Sequence, residues 1–459
     1  MLAGGDTYPK LGLHAGPIGV PWKMFPHKEA TPDVPYPNTW LIPQFRTDRA
    51  LHARLSELGR EVEFGKELTE LTQDEDTVVA KVVGADGVEE IVARYAVGAD
   101  GGSSAVRKQL DIGFVGTTDE SDRVLIVDAS VSGLARNRWH MWPGLGGKLI
   151  GACPIPDSDM FQWMIRLTPD EKPPQEIGAI IDRIHSHTRN RHIQLHEIHW
   201  KSVFRPNIRL AEHYGRGRVF LVGDAAHVHT PAGAQGLNTG MQDGYNLGWK
   251  LGQVLAGADP ALLETYEAER QPIAAGVLGL STEKWGGIAK LDPSSMKRGK
   301  DEQQLSLTYY GGPLAPDGMR TGTLHVGDRA PDAQLLGADG AETRLFNLFQ
   351  GPHFTAIAYG PGAARDLELL DWPTTGAQLK RLTVGSAAGG GRAFSDPKNT
   401  LQSAYGLTGD TLLLIRPDGY LGHIATRDFL TTTQAAVRAM APQAKTRTMS
   451  QPSHTYPLA

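Results

Sequence analysis

Three segments carry side chains whose types and spacing could do chemistry. Gly217–Gly240 reads GRVFLVGDAAHVHTPAGAQGLNTG. Its apolar run Val219–Val222 predicts a buried strand. Gly223-Asp224 then sets a carboxylate at the carboxyl edge of a sheet, where open α/β folds bind ligands. A carboxylate there can accept hydrogen bonds from ligand hydroxyls. The loop Pro231–Gly236, which contains Gly233, brings bare backbone close to something flat. It opens a long helix with Leu237 and Asn238 in its first turn and an apolar face of Leu247, Leu251, Val254 and Leu255. Backbone N–H groups at a helix start favour negative charge.

The second segment is Gly98-Ala-Asp-Gly-Gly-Ser-Ser-Ala-Val-Arg107. Gly-Ala-Asp-Gly alone is uninformative, because it recurs at Gly84–Gly87 and at Gly337–Gly340, both in hairpin-turn contexts. Only the middle copy follows a strand and continues into Ser104-x-Val106-Arg107. The third segment is Ile42-Pro43-Gln44-Phe45-Arg46-Thr47, where Gln44 is a candidate ligand contact and a surface glutamine is the plain alternative.

Other residues invite chemistry and are read more plainly. His185, His187, His192, His196 and His199 cluster, but His196-Glu-Ile-His199 is not the H-E-x-x-H metal motif, and strand-like alternation sends neighbours to opposite faces. His227-Val-His229 sits inside the glycine-rich loop, so no metal is expected there either. The one cysteine, Cys153, excludes an internal disulfide, a CxxC pair and a cysteine zinc site. It reads as a small core residue. Trp139, His140, Met141, Trp142, Phe161, Trp163 and Met164 lie on expected strands, as core or as pocket wall.

These segments need elements to hold them. The chain has 459 residues, 40 % hydrophobic and 21 % charged, which is a globular composition with room for several domains. A charge of −5 leaves no basic footprint for nucleic acid and no polybasic membrane signal. No signal peptide or spanning run is visible, so no membrane association and a cytoplasmic location are expected. Thr47–Leu58 predicts a helix with Thr47 as N-cap, and Thr77–Val83 with Val88–Val97 a hairpin turning at Gly84–Gly87. Residues 111–204 read as strands interrupted by a helix near 175–187. A shorter helix is expected at 261–270, and the chain restarts after about Leu324 as a separate α/β unit.

The first segment resembles the second FAD-binding motif of the flavoprotein aromatic hydroxylases, the para-hydroxybenzoate-hydroxylase-like monooxygenases. The likeness continues through Gln242-Asp-Gly-Tyr-Asn-Leu-Gly-Trp-Lys-Leu251 to Tyr266-Glu-Ala-Glu-Arg-Gln-Pro272. It implies that Asp224, after Gly223, bonds the ribityl chain and that Pro231 lies near the reactive flavin edge. The amides of Leu237 and Asn238, reached through Gly233 and Gly236, would meet the pyrimidine carbonyl. The second segment resembles the shared FAD/NADPH motif: Asp100 and Gly101 would face the cofactor cleft, with Ser104 and Arg107 securing the turn. Gln44 would reach the ribityl chain.

The implied activity is an FAD- and NAD(P)H-dependent monooxygenase. O2 would add at flavin C4a, and the hydroperoxide would hydroxylate a small aromatic, phenolic or polyketide-like substrate. A homodimer is compatible with this reading. A flavin halogenase is disfavoured, because its W-x-W-x-I-P segment is missing.

The implied fold class is α/β (α+β). An incomplete Rossmann-like FAD-binding domain (42–110 and 205–280) would interleave with a β-sheet substrate domain (1–41 and 111–204). A linker (281–322) would lead to a thioredoxin-like domain (323–441) and a polar tail (442–459). Gly360-Pro-Gly-Ala-Ala-Arg365 stands where such a domain would carry its thiols and holds no cysteine, so that domain is expected to be structural. The family opens with a G-x-G-x-x-G βαβ unit. No such fingerprint occurs here, so about 60 residues are expected to be missing before Met1. The alternative function is a remnant that cannot retain FAD.

Overall fold

The computed structural model describes residues 2–16, 18–22, 27–230, 235–289, 303–385 and 392–442. The chain forms two compact units that do not follow chain order. One comprises Met1–Gly244 and Glu269–Leu307, the other Tyr245–Ala268 and Thr308–Ala459.

The first unit is built on a seven-stranded sheet. Gln194–Phe204, Arg123–Ser132, Met160–Leu167, Leu149–Pro154, Arg138–Pro143, Lys10–Ala15 and Ile18–Trp22 lie side by side in that order. Period-two alternation in Met160–Leu167 sends Phe161, Trp163, Ile165 and Leu167 to a buried face and leaves Gln162 and Met164 on the other. Helix α1 is Gln44–Glu57, α2 Ala105–Gln109 and α3 Ile177–Thr188. Ile180 and Ile184, one turn apart on α3, pack with Val127, Ala129, Trp142, Ile150, Trp163 and Ile165 into this unit's core. Removing a large aromatic from such a core costs about 3–5 kcal/mol. The helix ends at Arg189, which takes a left-handed φ of 53°.

Two expectations shift here. Helix α1 begins at Gln44, not after Thr47. Pro43 is its N-cap, and the Thr47 backbone N–H donates to the Pro43 carbonyl from inside the first turn. Proline suits that place because an N-terminal N–H would be unpaired anyway. The hairpin is part of a three-stranded meander, Glu67–Gln73, Val78–Gly84 and Gly87–Ala93.

The two motif segments meet at a small sheet. Ala96–Gly98 runs parallel to Val219–Leu221, with Gly98 opposite Leu221. Helix α4 then spans Gly236–Leu255 and α5 Glu264–Ala289. The short helix expected at 261–270 is thus 26 residues long and runs on through Pro272. Proline removes one helical hydrogen bond. Here the residues after it keep the helix attached: Ser281 is buried, and its carbonyl accepts from Thr230 Oγ1 at 2.9 Å.

The second unit has its own seven-stranded sheet. Its order is Glu342–Arg344, Gln334–Gly337, Arg392–Ser395, Leu379–Val384, Phe354–Tyr359, Thr411–Ile415 and Leu421–Ala425. A helix, Pro361–Leu369, follows the central Phe354–Tyr359 strand. At its start the Gly362 N–H donates to Asp410 Oδ2 at 2.5 Å, so a carboxylate meets the helix terminus. Within this unit Trp249 and Asn246 of α4 donate to Asp418, which also pairs with the buried Arg416 at 2.6 Å.

Candidate functional site

The parallel pair Ala96–Gly98 and Val219–Leu221 ends both strands on the same side, so the two glycine-rich turns emerge next to each other. Close packing forces glycine at Gly98, where an added Cβ would stand 2.8 Å from the Val106 side chain. The resemblance has Asp100 facing a cleft. In the structure its carboxylate closes the start of α2, accepting from Ser104 Oγ at 2.5 Å, Ala105 N at 2.7 Å and Val106 N at 3.0 Å. Ser104 is the N-cap and accepts in turn from Arg107 N at 2.9 Å. Gly101 takes a φ of 79°, a left-handed value that suits glycine.

Arg107 joins the two motifs. Its buried guanidinium donates to the Gly102 carbonyl at 2.8 Å and to the Ala225 carbonyl at 2.7 Å, and lies 3.7 Å over the Phe114 ring. Fixed fork geometry lets arginine reach both carbonyls at once. Asp224 sits in the short turn Gly223–Ala225 and stays exposed, free to meet a ligand.

A buried charge network ties this turn to both long helices. Asp243 of α4 accepts from His227 Nε2 at 2.6 Å, from the Gly223 N–H at 3.1 Å and from Arg270 Nε of α5 at 2.7 Å. Arg270 also donates to the Thr239 carbonyl at 3.2 Å. All three side chains are at most 1 % exposed. Burial works to raise the Asp243 carboxyl, but the His227 hydrogen bond and the Arg270 charge outweigh it and hold the group below its ordinary value. Backbone then touches backbone: a Cβ on Gly240 would stand 3.1 Å from Gly223 Cα. This network escaped the sequence reading. Its signal was there, since Asp243 and Arg270 both lie in the long match beyond the loop.

Of the remaining site residues, Gly236 opens α4, with Leu237 and Asn238 exposed in its first turn. The His229 ring packs against Gly236, where an added Cβ would lie 3.2 Å from it. Burial lowers the His229 pKa, and its buried Nε2 has no hydrogen-bond partner among the described residues. Pro231 and Gly233 fall outside the described residues. These features fit the flavin and ribityl end of FAD. They supply an exposed carboxylate, an open first helical turn and an unpartnered ring nitrogen beside it.

Gln44 makes no hydrogen bond to either motif among the described residues. At the start of α1 it helps line a cavity of about 760 Å³. The cavity is walled by Leu41, Ile42, Phe45, Ile155 and Met160 and floored by Asp128, Cys153, Gln162 and Trp200 of the large sheet. Of the clustered histidines, His199 lines this cavity and bonds Ser130 Oγ at 2.9 Å through Nε2. Among the described residues no three His, Cys, Asp or Glu side chains gather as a metal would need. No described helix is long and apolar enough to cross a membrane.

The fold and the paired motifs define a flavin-binding α/β protein. Residues 21–281 match the family model described as FAD binding domain. The chain is 36 % identical over 430 residues to a flavin-dependent monooxygenase of Mycobacteroides abscessus, covering 92 % of this chain and 83 % of that protein. It is 33 % identical to the 12-dehydrotetracycline 5-monooxygenase/anhydrotetracycline 6-monooxygenase of Streptomyces rimosus, covering 90 % and 82 % of the two chains. Among solved structures it resembles the OxyS anhydrotetracycline hydroxylase of the same species, with a TM-score of 0.71 and 30 % identity over 94 % of this chain and 86 % of that one. The fold alone is shared with aklavinone-11 hydroxylase, solved with FAD and aklavinone, at a TM-score of 0.77 and 24 % identity over 95 % and 86 %. The chain therefore belongs to the FAD-binding family of flavin-dependent aromatic monooxygenases.

Proposed function

We propose that this monooxygenase uses NAD(P)H and O2 to hydroxylate a phenolic or polyketide-like aromatic compound. The supporting observation is the joining of two motifs by Arg107 at one sheet edge, with a cavity of about 760 Å³ beside Gln44 in the same unit. The relatives named for tetracycline-type substrates point to the same chemical class.

In this reading Asp224 accepts hydrogen bonds from the ribityl hydroxyls, and Gln44 serves the same chain. The amides of Leu237 and Asn238 receive the negative charge of the pyrimidine end, with the α4 dipole behind them. Arg107, Ser104 and Asp100 hold the turns, and Gly101, Gly223 and Gly236 let backbone approach the ring. Bound flavin supplies the reducing and oxygen-activating chemistry. The protein binds and orients the partners, and its apolar cavity walls keep water from the reacting centre. Residues 323–441 act as a thioredoxin-like structural domain without thiols.

The test is to purify the full chain and record the visible flavin band. NAD(P)H oxidation is then followed with anhydrotetracycline and with aklavinone. A yellow protein whose NAD(P)H oxidation rises with an aromatic substrate supports the reading; a colourless, inactive one overturns it.

A further inference from the structure

The cavity floor is a single cross-strand row. Trp200 pairs with Asp128, Asp128 with Gln162, and Gln162 with Cys153, on four neighbouring strands. Directly paired residues present their side chains to the same face of a sheet, and all four line the cavity. At the centre, Gln162 Nε2 donates to Asp128 Oδ1 at 3.1 Å. The carboxylate fixes the amide orientation, because the reverse would set Oε1 against a second acceptor. Gln162 Oε1 and Asp128 Oδ2 are left as acceptors, and neither takes a hydrogen bond among the described residues.

Asp128 and Gln162 are directly paired, so their side chains rise from backbones roughly one strand spacing apart, about 4.8 Å. That separation suits two hydroxyls in a 1,3 relation on one ring better than a vicinal pair. Trp200, 50 % exposed, adds aromatic surface at one end of the row, and Phe45, Ile155 and Met160 supply apolar walls. Desolvated acceptors penalise a ligand that leaves them unpaired, so they discriminate more sharply than the apolar walls do.

We infer that Asp128 and Gln162 are the specificity-determining pair of this chamber, selecting an aromatic substrate that carries two hydroxyl donors in a 1,3 relation along one edge. The inference rests on the cavity being the substrate chamber of the proposed monooxygenase.

The experiment titrates the purified full chain by calorimetry with naphthalene-1,3-diol, 1-naphthol and naphthalene. Each added hydroxyl is expected to tighten binding about tenfold, the factor that one net hydrogen bond of about 1.4 kcal/mol represents. Asp128→Leu and Gln162→Leu should each erase about one tenfold step of the ladder between naphthalene and naphthalene-1,3-diol, read as the ratio of the two affinities within each variant. Equal affinity of the wild-type protein for all three probes overturns the role of the pair and leaves the chamber standing. Absence of binding by any probe overturns the chamber as well. The wild-type ladder decides without the variants if either fails to fold.

Discussion

At the scale of single residues, two carboxylates in this protein are tuned in opposite directions by their surroundings. Asp128 is half-buried, and desolvation raises its pKa, against the Gln162 hydrogen bond and the His199 charge. Its acceptor strength depends on ionisation. Affinity for a hydroxylated probe should therefore hold at high pH and fall as pH drops through this raised pKa, above the range of an ordinary aspartate. The other titratable groups around the cavity are Asp48 on α1, Cys153 and His199. Calorimetry at stepped pH checks the prediction: Asp128→Leu should remove the acid limb, and its survival in that variant would assign the limb elsewhere. Asp243 is held low instead. A depressed carboxylate contributes stability that is complete above its unfolded pKa, about 3.9, and is lost as pH falls through the folded value. Asp243→Asn removes one buried counter-charge of Arg270, which should cost about 3–5 kcal/mol. Urea unfolding at neutral pH and at pH ~3 should show that the loss shrinks in acid. The sequence marked Asp224 as a candidate through its place after an apolar strand, and the structure leaves it exposed there. It could not disclose Asp128, whose meaning depends on a cross-strand neighbour 34 positions away.

At the scale of elements, the two motifs were legible because each is local: a strand, a turn and a helix start, written in consecutive residues. What joins them was not, since the Arg107 to Ala225 bond spans 118 positions. The structure also gives Asp100 a helix-capping role, which residue types alone do not disclose. Helix α1 begins four residues earlier than a Thr47 cap would place it, because Pro43 ended the preceding segment more strongly than Thr47 could start a helix. The α1 leucines recur with helical spacing, yet Leu51 and Leu58 are exposed, so periodicity located the helix but not what it packs against. Arg107→Lys tests the bridge. A single ammonium cannot replace a fork that serves two buried carbonyls, and one unsatisfied carbonyl costs about 1–3 kcal/mol. The variant should melt at lower temperature and lose flavin on gel filtration at least tenfold more readily than the parent. Unchanged flavin content would mean that the turns hold their positions without the bridge.

At the scale of the whole molecule, the second unit reaches back into the helix that opens at the candidate flavin site. Residues 245–255 of α4 belong to that unit, although residues 236–244 belong to the first. Within the second unit Trp249 stands edge-on to Phe354 with ring centroids 5.6 Å apart, and Gln253 bonds both the Met440 carbonyl and the Ala377 N–H. Leu247, Trp249 and Val254 are all at least nine-tenths buried. Chain order misleads here, because the residues of one helix fall in different units. A chain ending at Leu307 would bare this helix face. Losing the burial of Trp249 against Phe354, at about 1.5–3 kcal/mol, and its hydrogen bond to Asp418, at about 1 kcal/mol, removes a sizeable part of the 5–15 kcal/mol by which domains of this kind are stable. Expression of Met1–Leu307 should therefore yield insoluble or flavin-free protein, with the far-ultraviolet helical signal of α4 diminished. A soluble Met1–Leu307 that retains flavin as well as the full chain does would show that the first turn of α4 is positioned by the Asp243 network alone.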